Sequence, residues 1–460
     1  MIPTPVHGLE RMAVQARLTA LAARLRLGAS RRERAEPRDR SVRVPQPKLA
    51  WRTARAVRAL VTSMRERKYV RFGGEIYFDA FSPRFPSPWF ERLVETSVRG
   101  FGDGDTGKAR GFIPYVVLAI TDRCMYRCEH CYAVEVLGKS DSLTLDQWKT
   151  IADRFQQIGA GVIAFEGGEP LLRFDDLVAL TEHVCSKSDP WIATTGFGLT
   201  PSKAKRLAEA GLVGAAVSLD HYDPDRHNEF RGNKKAYDEA IKSIALFGQA
   251  GIFPALTVCA TREMLRDDGL RKYVELAYEV GAGVVQVLDP VSAGNYRDVA
   301  VGLSVEELRE IQRIQREMNT SPRDAHLPPI SPRATLEYDD GFGCGAGGNW
   351  GIYVNPKGEL QPCPYFAAST GNLATGDFGD AYARMRRLFP RPPAVGVQCP
   401  LNELSSVIAV ERLTHGKGPV PSDATEQICA HFAHLPAPAL YEGRVPRSVL
   451  DALPTAANRF

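Results

Sequence analysis

The sequence predicts a parallel α/β fold. Three observations carry the prediction. Six short apolar, β-branched runs fall at 115–120 (YVVLAI), 162–165 (VIAF), 191–195 (WIATT), 215–219 (AAVSL), 255–258 (ALTV) and 284–288 (VVQVL). Amphipathic helical stretches lie between them, over 144–157, 174–187, 201–211, 233–250 and 268–280. The runs are continuously apolar rather than alternating, as in strands covered on both faces. Strand and helix in alternation give a parallel sheet with crossover helices.

The flanks read differently. A length of 460 residues suggests two or three domains. The expected divisions are a basic helical extension over 1–110, the α/β core over 111–320, and a smaller C-terminal domain over 321–460. A Pro-rich connector (SPRDAHLPPISPR) begins the last of these. The composition, 44% hydrophobic and 24% charged, excludes a disordered chain, a collagen-like repeat and a polytopic membrane protein. Residues 1–72 hold 18 Lys/Arg against 5 Asp/Glu, a balance of +13; the remainder holds 40 against 49, a balance of −9. A basic arm on an acidic body fits either an anionic partner or a solvated Arg-rich leader. Residues 9–27 read as one basic amphipathic helix, with Leu9, Met12, Ala16, Leu18, Leu21 and Leu25 leaning to one side. Residues 51–68 read as another, which could lie on a lipid surface or pack on its own domain. The first has the composition of an organellar transit peptide and lacks the features of a secretory signal.

The cysteines carry the chemistry. There are nine, none in the first 123 residues. An odd, clustered set argues against a disulfide framework. Cys124, Cys128 and Cys131 fall in TDRCMYRCEHCYA, in the loop after the first strand. That end of an α/β strand is where such folds place their sites. Three thiolates can hold three irons of a cubane and leave the fourth open, whereas electron-transfer clusters take four Cys. Zinc, with His130 as fourth ligand, is the competing reading. FEGGEP (165–170) follows the second strand. Its two glycines permit close approach of a ligand to the backbone, and Glu169 offers a carboxylate to a ligand's ammonium group.

Together these motifs resemble the radical S-adenosylmethionine (SAM) superfamily, over roughly residues 113–300. The resemblance implies a partial (β/α)6 TIM-like barrel, a small C-terminal domain and a helical N-terminal extension. It implies a [4Fe–4S] cluster on Cys124, Cys128 and Cys131, with SAM chelating the open iron. His130 matches the position that contacts the adenine, and Gly167, Gly168 and Glu169 match the turn that binds the methionine amino group. Ser218 matches a polar position near the ribose or carboxylate, and Arg231 a basic residue that pairs with the SAM carboxylate. Thr195 stands where many relatives carry Asn and is given no role. The implied chemistry is reductive cleavage of SAM to methionine and a 5′-deoxyadenosyl radical, which abstracts hydrogen from a substrate. The implied electron donor is a flavodoxin or ferredoxin.

Downstream, Cys344-x13-Gly358-x4-Cys363 resembles the opening of the SPASM or twitch extension of this superfamily. The dense cysteine run of a full SPASM domain is missing, which favours one auxiliary [4Fe–4S] cluster. Cys399 is its expected third ligand and Cys429 is either a fourth or a buried thiol. Cys185 and Cys259 are read as core, and Tyr132 as packing. Asp220 and His221 face the substrate or cap a turn, and Asp289 is a candidate substrate contact. The substrate stays open: a peptide, a lipid or isoprenoid-like molecule, or another small molecule. The alternative from another class is a non-catalytic iron–sulfur scaffold or electron carrier. No nucleic-acid module is recognisable. The expected location is cytoplasmic, with peripheral membrane contact through the basic N-terminal helices.

Overall fold

The six predicted strands are consecutive parallel neighbours. In the computed structural model, residues 1–7, 10–21, 68–94, 113–138, 140–297, 299–337 and 345–388 are described. The second basic helix, expected over 51–68, lies outside these residues except for Lys68, and Cys344, Cys399 and Cys429 lie outside them altogether. The six strands are β4 (Ile113–Thr121), β5 (Ala160–Gly167), β6 (Asp189–Thr194), β7 (Gly214–Ser218), β8 (Phe253–Cys259) and β9 (Val284–Leu288). Three more join their sheet: β10 (Ile330–Pro332), β11 (Gly351–Val354) and β12 (Leu360–Gln361). The order is β10-β9-β8-β7-β6-β5-β4-β11-β12, antiparallel only between β11 and β12. This is a partial (β/α)6 barrel with an extra strand on one edge and a hairpin on the other.

Alternation along the strands sorts the side chains between two compartments. Val116, Leu118, Ile163, Phe165, Ile192, Val217, Leu256 and Val285 point outward into the helical shell. The helix Leu145–Gln157 shows why that shell forms. Trp148, Ile151, Ala152 and Phe155 recur at helical spacing and are buried, and a Thr144/Gln147 capping box closes its N-terminus. Such a cap contributes about 1 kcal/mol. Val162, Ala164, Trp191, Ala216, Phe253, Ala255 and Val284 point inward.

The lumen is closed at the N-terminal ends of the strands. The plug comes from β2 (Val70–Phe72), β3 (Glu75–Tyr77) and the turn after them. Tyr77 stacks on Phe253 at 3.9 Å, and Phe81 packs against Trp191 at 5.4 Å and Tyr115 at 5.2 Å. With β1 (Thr4–Pro5), these strands make a small antiparallel sheet that the sequence reading did not assign. The first basic helix is present over 10–21. Its buried face is Val14, Leu18 and Leu21, set on Tyr69, Ile76, Phe78, Phe85 and Phe90, while Met12 is exposed. Among the described residues no helix is long and apolar enough to cross a membrane.

At the C-terminal ends the lumen stays open. The inward residues Glu166, Ala193, Ser218, Thr257 and Leu288 are each only half-buried. β11 and β12 form a hairpin that turns at Asn355–Gly358. The Asn355 side chain accepts from the backbone N–H groups of Lys357 and Glu359, at 2.9 and 3.0 Å, and so holds the turn. β11 adds in parallel to β4, pairing Ile352 with Val116. Ile352, Val354 and Leu360 extend the main core, which explains why the hairpin closes on the barrel.

Candidate active site

The cysteine loop leaves β4 at the open end and is pinned from several sides. Glu129 donates its N–H to Phe230 at 2.8 Å, and Asn295 donates to Cys131 from its backbone and to Cys128 from its side chain, at 3.0 and 2.9 Å. Cys128 is buried, Cys124 and Cys131 are half-buried, and all three are free thiols packed with Tyr126, Phe197 and Ala236. Each sulfur faces N–H donors: the Tyr126 backbone for Cys124 at 3.5 Å, Arg231 Nη1 for Cys128 at 3.6 Å, and the Ala133 and Val134 backbone for Cys131. Burial pushes the Cys124 thiol up to about 11 and raises that of Cys131 as well.

The glycine turn interlocks with this loop. Gly168 and Glu169 donate their N–H groups to the carbonyls of Thr121 and Arg123, both at 2.8 Å. A Cβ on Gly167 would stand 2.3 Å from the Thr121 carbonyl oxygen, and one on Gly168 2.2 Å from that of Arg123. No residue but glycine fits either position without moving backbone. The Glu169 carboxylate is buried, and four groups donate to it. Thr194 Oγ1 (2.6 Å) and the Leu171 N–H (3.0 Å) reach Oε1; the Thr195 hydroxyl (2.6 Å) and N–H (2.8 Å) reach Oε2. Burial raises its pKa and these donors pull it back. The carboxylate therefore organises the turn, and the threonines at the end of β6 are site residues that the sequence reading passed over. Their signal was two hydroxyls at a strand's C-terminal end. Glu169→Gln places an amide N–H₂ among donors, so a loss of about 1–3 kcal/mol is expected in a urea melt. Unchanged stability would mean that these bonds contribute nothing.

A second buried network lies under the loop. Asp220 pairs with Arg231 Nε at 2.5 Å and accepts from the Cys259 N–H at 3.0 Å, while its own N–H donates to His227 Nδ1 at 2.9 Å. Burial works to raise the Asp220 carboxyl, but Arg231, His130, His227 and the Cys259 N–H together outweigh it and the net direction is down. Arg231 thus bridges Asp220 to the sulfur of Cys128. The Asp220 carboxylate is turned into the protein, and His221 accepts from the Asp223 N–H. Asp289 is likewise turned inward, onto Arg333, at 2.8 and 2.5 Å. Cys259 is buried as expected. Cys185 is half-buried, because the helix Phe174–Val184 ends one residue before it and leaves it as the cap. Tyr132 does more than pack: its hydroxyl donates to Glu166 at 3.0 Å.

His130 stacks on Phe230, with ring centroids 4.6 Å apart and planes 20° apart. Burial lowers its pKa to about 4, against the opposing effect of Asp220, so the ring is neutral near pH 7. Its buried Nδ1 has no hydrogen-bond partner among the described residues. An orphaned buried nitrogen beside a stacked ring, three thiols with N–H donors, and a glycine turn without room for a Cβ fit a cluster and a nucleoside ligand. Among the described residues no three His, Cys, Asp or Glu are grouped around the position of one ion. A cubane takes one thiolate per iron and needs its sulfurs spread more widely.

Residues 118–274 match the family described as the Radical SAM superfamily. Over those residues the chain carries a radical SAM domain, members of that superfamily use a [4Fe–4S] cluster and SAM, and the protein is an enzyme. It is similar to the AdoMet-dependent heme synthase of Nitratidesulfovibrio vulgaris, 24% identical over 290 residues, covering 58% of this chain and 77% of that one. It is similar to the GTP 3',8-cyclase of Acidothermus cellulolyticus, 28% identical over 238 residues, covering 49% and 64%. In fold it is similar to Streptococcus suis SuiB bound to precursor peptide SuiA, with a TM-score of 0.52, 16% identity, and coverage of 64% of this chain and 70% of that one.

Proposed function

We propose that this enzyme holds a [4Fe–4S] cluster on Cys124, Cys128 and Cys131, binds SAM beside it, and acts on an organic substrate in the barrel lumen. When bound, the cluster and SAM supply a 5′-deoxyadenosyl radical, the species that takes hydrogen from the substrate. One observation carries this reading: the cysteine loop and the Gly167–Gly168–Glu169 turn interlock, backbone against backbone, at the mouth of a lumen that is plugged at its other end. Two sites are thereby held at fixed separation in a closed-ended chamber.

The chain's residues divide the work. The N–H groups facing the sulfurs favour the reduced, more negative cluster. With the Glu169 carboxylate saturated by its own donors, backbone carbonyls of the turn would receive the ammonium group of SAM. His130 and Phe230 offer a flat face and an open nitrogen to the adenine. Ser218, half-buried at the end of β7, offers a hydroxyl from the lumen wall. Arg231 is held by Asp220 and stands beside the cluster sulfur. The plug of Phe72, Tyr77 and Phe81 keeps water from entering behind the substrate.

Cys363, half-buried in the turn after β12, we assign to an auxiliary cluster with Cys344, Cys399 and Cys429. A small flavodoxin or ferredoxin would supply the electron. The test is formation of 5′-deoxyadenosine by anaerobically reconstituted protein given SAM and dithionite. Product above the protein-free background is expected. A filled cluster by iron count, with no product in the presence of amine-bearing, peptide and lipid substrates, would overturn the reading.

A further inference from the structure

Glu166 has no part in the site described so far. It ends β5, one residue before the glycine turn, and strand alternation puts it on the inner face with Val162 and Ala164. Tyr115 donates its hydroxyl to Oε1 at 3.2 Å, and Tyr132 donates to Oε2 at 3.0 Å. Tyr132 directly follows the cluster ligand Cys131. The rings of Tyr353 and Tyr365 stand edge-on to Tyr132, at 6.2 and 5.5 Å. Behind Tyr365, the Arg333 guanidinium lies 5.6 Å from the ring centroid, and Asp289 holds it with two hydrogen bonds. That guanidinium is therefore already matched by its own carboxylate. Among the described residues Glu166 has phenols for partners and no cation. Tyr115, Tyr132, Tyr365 and Glu166 are all half-buried, above a lumen floor of buried side chains, so they face open space.

A carboxylate can accept about four hydrogen bonds, and two of these are filled. Removing such a group from water without a countercharge is costly, and two phenols offset only part of that cost. Burial accordingly pushes the Glu166 pKa up, against the two phenol bonds. A ligand bringing a positive charge gains an ion pair in a low-dielectric chamber and the attraction of electron-rich rings. A neutral ligand gains neither, and an anion is repelled.

We infer that Glu166, Tyr115 and Tyr132, walled by Tyr353 and Tyr365, anchor a protonated amine of the substrate within the barrel. The inference rests on reading the lumen as the substrate chamber. It narrows the substrate to molecules that carry an amino or similarly cationic nitrogen near the group that reacts.

Three probes of one shape and different charge test it: benzylamine, benzyl alcohol and phenylacetate, titrated calorimetrically into the reconstituted, SAM-loaded protein at neutral pH. Benzylamine is expected to bind at least about tenfold more tightly than benzyl alcohol, and phenylacetate more weakly than either. In Glu166→Gln the preference for the amine is expected to fall within about twofold. Tyr132→Phe keeps the carboxylate and is expected to keep the preference, which leaves the test standing if the Gln variant does not fold. Equal binding of the three probes, tighter binding of phenylacetate, no binding of any up to about 10 mM, or a preference unaltered by Glu166→Gln would each overturn the inference. Binding needs no SAM cleavage. A charge preference without 5′-deoxyadenosine would thus leave this inference standing and sink the functional reading, and product without a preference would do the reverse.

Discussion

Replacing Cys124, Cys128 and Cys131 together by alanine is expected to abolish 5′-deoxyadenosine formation, by more than about 1000-fold. The site iron should be lost with it, and the barrel should stay folded. The last expectation separates chemistry from collapse. The bonds that pin the loop run from Gly168, Glu169, Glu129 and Asn295 to the backbone carbonyls of Thr121, Arg123, Phe230, Cys128 and Cys131, and none of these uses a sulfur. The loop's shape therefore survives loss of the thiols. Burial already favours the neutral thiol at Cys124 and Cys131, so alanine there leaves no charge stranded. Cys128→Ala alone differs in one respect, since it removes the sulfur that Arg231 Nη1 faces. Arg231 keeps Asp220, so this single variant should lose iron while losing little stability. Iron and sulfide content, a urea melt and chromatography of the nucleoside product check the set. Product from the triple variant at the wild-type rate would remove the cysteine loop from the mechanism.

The parts of this molecule that were legible in its sequence are those written in local pattern. The six strands could be read because each is a short β-branched run covered on both faces, such as Val116–Ile120 between the shell and the lumen. The helix Leu145–Gln157 could be read because its buried residues recur at helical spacing behind a capping threonine. The cysteine loop and the glycine turn are both short motifs after strands, and the structure brings them together because β4 and β5 are neighbours. The parts that could not be read depend on distant pairing. The parallel register of β11 on β4 joins residues more than two hundred positions apart, and nothing near Tyr353 announces Val117 as its partner. Glu166 shows the same limit. In sequence it is one more acidic residue beside Gly167, and its meaning comes from Tyr115 and Tyr132, which only the barrel's curvature brings to its oxygens. Asp220 and Asp289 stood at strand ends, where a carboxylate faces either ligand or protein, and Arg231 and Arg333 decided for protein.

Gly168→Ala is expected to be a severely damaging single-methyl change. The added Cβ would stand 2.2 Å from the Arg123 carbonyl oxygen, 2.6 Å from its carbon and 2.9 Å from Cys124 Cβ. Two of these atoms are backbone and cannot rotate away. Gly168 does not sit in the left-handed region, so alanine's own conformational preference costs nothing there and the whole effect is overlap. Relief requires the turn and the cysteine loop to separate, which breaks the 2.8 Å bonds from Gly168 to Thr121 and from Glu169 to Arg123. Overpacking costs about 1–3 kcal/mol, and each lost bond about 0.5–1.5 kcal/mol, so a loss of about 2–6 kcal/mol is expected. Gly281→Ala supplies the contrast. That glycine has a φ of +81° and nothing within 4 Å of its notional Cβ, so alanine there bears a backbone cost of about 1 kcal/mol and no clash. Urea melts and iron content measured on both variants tell the two causes apart. The Gly281 variant should lose stability slightly and keep its iron. The Gly168 variant should lose both, because the displaced segment carries Cys124. If both variants behaved alike, the loop would be yielding without cost, and the interlock of turn and loop could not be what fixes the distance between the two halves of the site.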